Sequence, residues 1–256
     1  MKTYTYRLLG QNGRLGNQLW QIASTVGIAI AADARAVFPA WEYAPWFSLP
    51  DSLFGPVPDD ALDTYDHPHE VAKPYRGYLQ EMEFLDPAAY LVRPWFQPSG
   101  AALDQLHERY PWAFDGAHRT AVHVRRGDVL WPHAVDLFRL VEMDYYEPAL
   151  SAARERHPDT TFTVFSDSIA WCRDHLPDDC DFVSPGGIPE AGSNPTDWEE
   201  LFLMRLCDEH VIANSTFSWW AAFLSDDPSP IAPAIWFKGN LAGAERLFLP
   251  ASWTLV

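Results

Sequence analysis

Apolar and polar positions alternate over short segments of the chain, and stretches with helical spacing separate these segments. Thr3 to Leu9 alternates and is rich in residues that favour strands. A glycine-containing loop follows at Gly10 to Gly16, Asn17 to Asp33 has helical spacing, and Arg35 to Phe38 predicts a short second strand. This order of strand, loop, helix and strand is typical of parallel α/β folds.

The second half of the chain repeats this order. The predicted strands are Thr120 to Val124, Thr161 to Phe165, His210 to Ala213 and Ser229 to Trp236. The predicted helices are Ala101 to Tyr110, Tyr145 to His157, Ser168 to Leu176, Asp197 to about Glu209, and one that begins at Ser215. The alternation predicts a Rossmann-like lobe after residue 120, in which ligands bind at the carboxyl ends of the strands.

Two helix starts carry capping signals. Ser166 or Asp167 is expected to cap the helix at Ser168 to Leu176. Asp197 with Glu200 three residues later is expected to form a capping box. Ahead of these elements, Ala40 to about Pro98 is dense in proline and aromatic residues, which predicts loops and short helices that line a cleft.

Composition narrows the class of protein. A chain of 256 residues with 48% hydrophobic and 14% aromatic residues can bury a sizeable core. The net charge of −17 argues against nucleic acid and anionic membrane surfaces as partners. We expect most of the 12 tryptophans to pack in the core, although aromatic faces also bind the C–H faces of sugar rings.

The cysteines and the apolar runs bear on location. Cys172, Cys180 and Cys207 are odd in number and lack metal-type spacing, which favours a reduced, cytoplasmic protein. The segment from Met1 to Arg7 has no secretory core, and the apolar run from Ile22 to Ala32 is too short to span a bilayer. We therefore expect a soluble protein without an integral membrane segment; peripheral contact with a membrane stays open.

The most informative segment runs from Ala121 to Asp128, an alternating strand that ends in two arginines, a glycine and an acid. Period-2 alternation puts His123 and Arg125 on one face and Arg126 on the other. Two guanidiniums at the carboxyl end of a strand favour an anionic ligand, and a phosphate or pyrophosphate suits their planar fork. The alternative is that one of the arginines forms a structural salt bridge with Asp128.

Two further segments follow predicted strands. In Phe165-Ser-Asp167 the acid can accept from a ribose hydroxyl or a base N–H, or it can cap the next helix. Ala213 to Trp220 contains three hydroxyl residues at a strand-to-helix turn, where hydroxyls, backbone N–H groups and the helix dipole can hold an anion. The alternative for this turn is a Ser/Thr cap on an apolar helix.

The first loop and two acidic clusters complete the candidate chemistry. In Gly13 to Gln18, the residues Arg14, Asn17 and Gln18 supply donors that we expect to face the cleft. Asp178 to Asp181 and Asp226-Asp227 could suggest a metal-binding D-x-D motif. We interpret both clusters as solvated acidic loops, so no metal site is expected.

Together these segments resemble the glycosyltransferase family 11 α-1,2-fucosyltransferases, which use GDP-L-fucose. The likeness runs in order from about residue 8 to residue 237. The segments similar to the family's motifs are Gly13 to Gln18 (G-x-L-G-N-Q), Gly77 to Gln80 (G-Y-x-Q), His123 to Asp128 (H-x-R-R-G-D), Phe165 to Cys172 (F-S-D, then Trp-Cys) and Ile212 to Trp220 (I-A-N-S-[ST]-F-S-W-W).

The chain departs from the family pattern at a few positions. Arg14 stands where the family often has a second glycine, and Val129 stands where an aromatic residue commonly follows the acid. Trp20 and Ile22 replace commoner residues in the first helix. These departures leave the preference for an acceptor open.

The resemblance implies a GT-B-like α/β fold, with two Rossmann-like lobes facing a cleft and neither a metal nor another cofactor required. Residues 1–115 would form the acceptor-side lobe and residues 116–256 the lobe that binds the GDP-sugar. The implied reaction moves L-fucose from GDP-β-L-fucose, with inversion, to the 2-hydroxyl of a terminal galactose-like acceptor. The implied partners are therefore the GDP-sugar donor and a galactose-terminated glycan.

The resemblance also implies roles for individual residues. Arg125 would stabilise charge on the leaving β-phosphate, and Asp128 would be the general base, with Glu81 and Glu83 as rivals. Arg126 is assigned mainly to structural pairing, with Asp128 as a candidate partner. The other expected donor-site residues are His123, Asp167 (on guanine or ribose), Asn214, Ser215, Thr216, Phe217 and Ser218. The expected acceptor-side residues are Arg14, Asn17, Gln18, Tyr78 and Gln80.

The sequence is compatible with three other functions. A relative with the same GDP-sugar site could use another sugar or make another linkage. An inactive GDP-sugar or glycan-binding protein would bind GDP without turnover. A metal-dependent transferase or phosphatase would lose activity in excess chelator.

Overall fold

The computed structural model of the chain describes residues 1–66, 77–132, 134–183 and 196–256. The chain divides into two compact units: residues 1–105 with 246–249, and residues 106–245 with 250–256. Each unit contains a parallel β-sheet accompanied by helices. The predicted α/β class is therefore confirmed.

In the first unit, three short parallel strands are ordered β2-β1-β3. They are β1 (Thr3–Thr5), β2 (Arg35–Ala36) and β3 (Leu62–Asp63), the last of which was not predicted. β1 is shorter than expected because the chain turns at once, with the Leu9 amide donating to the carbonyl of Tyr6.

The helices of the first half are α1 (Leu15–Ala31), α2 (Met82–Leu85), α3 (Ala89–Trp95) and α4 (Gly100–Arg109). α1 begins and ends two residues earlier than predicted, and fourteen of its seventeen residues are buried. None of the helices in the described ranges combines the length and the apolar composition that crossing a bilayer requires.

The proline-rich stretch folds as predicted into loops, single 3-10 turns and the short helices α2 and α3, although its residues 67–76 lie outside the described ranges. An aromatic cluster holds it together. The indole of Trp41 stacks on Phe47 and on Phe54, with ring centroids 5.4 and 6.3 Å apart, and Phe47 meets Phe96 edge-on. The prediction that most of the 12 tryptophans pack in the core is confirmed, since seven of them are buried: Trp20, Trp41, Trp198, Trp219, Trp220, Trp236 and Trp253.

In the second unit, six parallel strands are ordered β6-β5-β4-β7-β8-β9. The strands are β4 (Arg119–Val124), β5 (Thr161–Ser166), β6 (Asp181–Val183), β7 (Glu209–Val211), β8 (Ile231–Ala232) and β9 (Thr254–Leu255). In order of sequence this is 3-2-1-4-5-6, the arrangement of doubly wound Rossmann sheets. β6 and β9 were not predicted, and β8 is shorter than the expected Ser229 to Trp236.

The helices of this unit are α5 (Met143–Arg156), α6 (Ile169–His175), α7 (Asp197–Arg205) and α8 (Thr216–Leu224). The two faces of β4 differ as its alternation predicted. Val122 and Val124 belong to the core that includes Tyr146 of α5 and Cys172 of α6. The His123 side chain faces the other way and contacts α8.

Two helix predictions were wrong at their ends. Ser168 occupies the N-cap position of α6, and Ser166 Oγ accepts the amide of Ser168, which lies outside the helix, so neither Ser166 nor Asp167 is the N-cap residue. α7 starts after Thr196 rather than after a capping Asp197, and it ends at Arg205 because β7 already begins four residues later.

Asp227 corrects the expectation of a solvated acidic loop. Its side chain is 2% exposed and lies 3.2 Å from Nδ1 of His210. Its Oδ2 accepts the His210 amide and its Oδ1 accepts the Ser229 amide, each at 2.9 Å. Asp227 is therefore a buried link between β7 and the turn before β8, whereas Asp226 is exposed.

All three cysteines are unpaired and buried. Burial raises the pKa of Cys180 and of Cys207 to about 12, so both thiols stay protonated at neutral pH. A protonated, buried thiol is inert toward oxidants and electrophiles.

Gly27 sets the closest approach between α1 and the segment that contains α2. A Cβ atom at this position would lie 1.8 Å from the carbonyl oxygen of Phe84. Because that oxygen belongs to the backbone, a methyl group can be accommodated only if one of the two segments moves.

We expect Gly27→Ala to lower the free energy of unfolding by about 1–3 kcal/mol, the usual cost of overpacking. Urea denaturation measures it. Gly55→Ala is the matched control, because nothing lies within 4 Å of a Cβ atom there. Equal stability of the two variants would contradict the packing described for α1.

Candidate functional site

The candidate site lies at the carboxyl edge of the six-stranded sheet. Val124 of β4 lies beside Ser166 of β5, and Val122 lies beside Val211 of β7. The order of strands reverses its direction between β4 and β7, and doubly wound sheets bind ligands at such a switch point. The loops after β4, β5 and β7 therefore start side by side.

Arg125, directly after β4, is held in one plane by three hydrogen bonds. Its Nε and Nη2 donate to Oδ1 and Oδ2 of Asp128 at 2.8 Å, and its Nη1 donates to the carbonyl oxygen of Asn214 at 2.9 Å. The guanidinium carbon lies 5.1 Å from the centre of the Phe138 ring. Arg125 thus ties the loop after β4 to the loop after β7, and it is the partner of Asp128.

Arg126 points to the opposite face, where it meets different groups. Its Nη1 donates to Oε2 of Glu142 at 2.9 Å, and its guanidinium carbon lies 4.2 Å from the centre of the Trp171 indole. Pairing of Arg126 with Asp128 is therefore wrong, because both oxygens of Asp128 are engaged by Arg125. A salt bridge and a cation–π contact together fix the Arg126 side chain.

Asp167, which directly follows the neighbouring strand β5, binds the backbone of the loop after β4. Its Oδ1 accepts the amide of Arg126 at 2.8 Å and its Oδ2 accepts the amide of Gly127 at 3.0 Å. A Cβ atom on Gly127 would lie 2.9 Å from Oδ2, so a residue without a side chain suits this close approach. The carboxylate thereby shapes the backbone that carries both arginines.

A helix begins after Ser215, as predicted, and the Ser/Thr cap that was the alternative for this turn is present: Ser215 Oγ accepts the amide of Phe217 at 3.3 Å. Thr216 and Phe217 are partly exposed, whereas Ser215 and Ser218 are buried. Of the three predicted hydroxyls, only that of Thr216 therefore lies on a partly exposed residue at the helix start. The positive end of the helix dipole favours an anion there.

His123 lies beneath this turn. Its Nδ1 lies 2.8 Å from Oγ of Ser218, and its backbone carbonyl accepts the hydroxyl of Tyr146. Burial raises the pKa of Tyr146 well above its ordinary value, so this hydroxyl remains a donor. His123 is 8% exposed, which makes it a support for the start of α8.

Asn214 is also buried and acts as a junction. Its Nδ2 donates to the carbonyl oxygens of Arg139 at 2.7 Å and of Trp236 at 3.1 Å. Its own carbonyl accepts from Arg125. Asn214 therefore holds three segments of the second unit around the Arg125 guanidinium.

In the first unit, the loop at Gly13 closes on itself. Gln18 is 1% exposed; its Nε2 donates to the carbonyl of Gly13 at 2.9 Å, and its Oε1 accepts Nε1 of Trp41 at 2.6 Å. Gln18 thus holds the loop in shape from inside. Arg14 occupies the N-cap position of α1 and is exposed.

Three of the five expected acceptor-side residues come together: Asn17, Tyr78 and Gln80. Nε2 of Gln80 donates to Oδ1 of Asn17 at 3.0 Å. A Cβ atom on Gly13 would lie 3.0 Å from the ring of Tyr78, so the two motifs are in contact. Burial raises the pKa of Tyr78, which keeps its hydroxyl protonated.

Backbone geometry explains the glycine that opens this segment. Gly77 has a φ of +81°, and a Cβ atom there would lie 2.5 Å from the ring of Tyr65. Leu79 also adopts a positive φ of 54°, and its carbonyl accepts the Ser24 hydroxyl at 2.8 Å. Of the rival bases, Glu81 is buried just before α2 and Glu83 is exposed on it.

Three residues that contact the two arginines were not predicted from the sequence. Phe138, Glu142 and Trp171 surround the two guanidiniums but lie far from them in the chain. Trp171 alone carried a signal, since it belongs to the Phe165 to Cys172 motif.

Comparison with known proteins gives a consistent result. Residues 115–253 match the model of the family described as Glycosyl transferase family 11. The O-antigen biosynthesis glycosyltransferase WbnK of Escherichia coli is 31% identical, over 64% of this chain and 55% of WbnK. An alpha-1,2-colitosyltransferase of Escherichia coli is 35% identical, over 46% of this chain and 41% of the relative. Galactoside alpha-(1,2)-fucosyltransferase 1 of Homo sapiens is 27% identical, over 84% of this chain and 64% of the relative. The chain thus spans about half the length of these relatives.

The double contact of Asp167 predicts a loss of stability on amide substitution. Asp167→Asn places an NH2 group opposite one of two backbone amides, and we expect the free energy of unfolding to fall by about 1–3 kcal/mol. Urea denaturation measures the loss. Asp174→Asn, which changes the same charge at an exposed position of α6, is the control; a loss no larger than that of the control would contradict the role of Asp167.

Proposed function

The chain belongs to glycosyl transferase family 11, and on this premise we propose that it transfers L-fucose from GDP-β-L-fucose to the 2-hydroxyl of a terminal galactose-like acceptor. The transfer would invert the anomeric carbon in one displacement. The observation that carries this proposal is the bond from Arg125 to Asn214, which unites a cation with the start of α8 at the switch point.

The donor diphosphate would bind between these two groups. As GDP leaves, negative charge grows on its β-phosphate, and preorganised donors stabilise that charge more in the transition state than in the ground state. Arg125 is fixed by Asp128 and Asn214 before any ligand arrives, so little reorganisation is needed. Thr216 and the first-turn amides of α8 would add donors from the other side.

No metal is required in this proposal, because Arg125 and the α8 dipole take the part that a bound cation takes in other transferases. Asp167 and Arg126 would shape the donor site, with Asp167 near guanine or ribose. Asn17, Tyr78 and Gln80, which come together in the first unit, would contact the acceptor, with Arg14 beside them.

Asp128 has two proposed contributions. As a general base it would take the proton from the acceptor hydroxyl, in which case Glu81 and Glu83 are its rivals. As a partner it orients Arg125, and the bidentate contact favours this second role. The two differ in their effect: loss of a base lowers kcat alone, whereas loss of the orienting contact also weakens GDP binding.

A second candidate function keeps the site and changes the sugar. Similarity to an alpha-1,2-colitosyltransferase favours this alternative, because its name pairs the same linkage with a different sugar. A protein that binds GDP-sugar without turnover is the remaining alternative.

We expect Arg125→Ala to lower kcat by at least about 100-fold, the cost of losing one preorganised donor. Turnover of GDP-fucose with a galactoside, followed by release of GDP, measures it. Arg154→Ala removes another ion-paired arginine, on the exposed side of α5, and should leave turnover unchanged. Full activity of Arg125→Ala would overturn the phosphate assignment.

The reaction itself is tested by incubating the protein with GDP-fucose and a panel of galactosides in excess chelator. We expect full transfer, and an α-1,2 linkage when the product is assigned by NMR. Loss of activity in chelator would contradict the metal-independent proposal. Transfer from another GDP-sugar alone would favour the second candidate.

A further inference from the structure

A cluster of metal-ligating side chains lies at the opposite, amino-terminal edge of the six-stranded sheet. His118 directly precedes β4, His157 directly follows α5, and Glu209 is the first residue of β7. One ligand atom from each residue lies within 4.8 Å of the other two. None of the three belongs to the candidate site at the carboxyl edge.

Two hydroxyl groups connect the first histidine to the carboxylate of Glu209. Thr120 Oγ1 donates to Oε2 of Glu209 at 3.4 Å, and it lies 2.9 Å from Oγ1 of Thr160. When Thr120 gives its proton to the carboxylate, Thr160 gives its own proton to Thr120. The Thr160 oxygen then accepts from Nδ1 of His118, which lies 3.0 Å away.

This arrangement leaves the lone pair of His118 on Nε2. A histidine whose Nδ1–H is held by an oxygen acceptor and whose Nε2 is a lone pair is the usual form of a metal ligand. The hydroxyl of Thr160 would therefore orient the His118 imidazole without contacting the metal ion itself.

The other two ligands lie close by. Nε2 of His157 lies 3.7 Å from Oε1 of Glu209, and the imidazoles of His118 and His157 stack with centroids 4.0 Å apart. Ligand atoms around a tetrahedral zinc ion lie roughly 3.4 Å apart, as bond lengths of about 2.0–2.2 Å require. The side chain of His157 is 50% exposed, so it can rotate to close the remaining gap.

Arg156 is the cation next to this cluster. Its Nη1 lies 3.9 Å from Oε1 of Glu209. Shorter bonds hold the guanidinium elsewhere, since Nη1 donates to the carbonyl of Ser229 at 2.8 Å and Nη2 donates to Oγ1 of Thr254 at 2.9 Å. Arg156 is therefore only a distant ion-pair partner of Glu209 Oε1.

We infer that His118, His157 and Glu209 form a binding site for a divalent transition-metal ion of the zinc class. Two imidazoles and one carboxylate are a donor set that binds such ions, and a water molecule would complete the tetrahedron. The ion would join the amino ends of β4 and β7 to the end of α5. Its role would be to stabilise the second unit, independent of transfer at the opposite edge.

The test is titration of the full chain, free of any histidine tag, with ZnCl2 by calorimetry. We expect one ion per chain and a melting temperature that rises with free Zn²⁺, because a ligand of the native state stabilises it. Added Co²⁺ should give the visible absorption bands of a tetrahedral site.

Variants locate the ion. His157→Gln and Glu209→Gln should each abolish the Zn²⁺-dependent rise, and Thr160→Val should weaken binding by about 10- to 100-fold, as loss of an outer-shell partner does. His107→Gln removes an exposed histidine outside the cluster and should bind zinc like the parent. Absence of binding by the parent chain, or equal binding by His157→Gln, would overturn the inference; either result leaves the transfer reaction to its own assay.

Discussion

Parallel pairing of β4 between β5 and β7 is the constraint on which the second unit depends. Because every strand runs in one direction, all strand ends with the same polarity meet at one edge of the sheet. The order 3-2-1-4-5-6 makes the connections on the two sides of β4 run away from each other, and a gap in side-chain cover opens between β4 and β7. The charged loop after β4 and the serine-led turn after β7 are adjacent for this reason, although 89 residues separate Arg125 from Asn214.

The arginine pair shows how an acidic protein can present local positive charge. The chain carries a net charge of −17, yet each guanidinium has its own carboxylate, Asp128 for Arg125 and Glu142 for Arg126. These ion pairs lower the free-energy cost of partly burying the two guanidiniums, and they set the orientation of each guanidinium plane. Geometry, rather than excess charge, therefore defines the place where an anion would be recognised.

The local pattern of apolar and polar residues was enough to predict the strands and helices that bury one regular face. The alternation in β4, the helix α1 and the helix that begins after Ser215 were predicted from neighbours in sequence, and so was the placement of the two arginines on opposite faces. The short strands β3, β6 and β9 could not be predicted, because two or three residues carry too little periodicity.

The burial of several polar side chains could not be predicted because it depends on partners that are distant in sequence. The burial of Asp227 depends on His210, and that of Gln18 depends on Trp41, which no local window contains. The partner of Asp128 was ambiguous for a different reason: either of two adjacent arginines could pair with it, and the hydrogen bonds of the folded loop after β4 show that Arg125 does.

The path of the chain between the two units has a practical consequence. Residues 246–249 belong to the first unit, although the segments before and after them belong to the second, and the last strand β9 follows this excursion. No single cut in the sequence therefore separates the units. A chimera that exchanges the first unit between relatives would need three junctions, one near residue 105 and one on each side of residues 246–249, to keep the outer strand of the larger sheet.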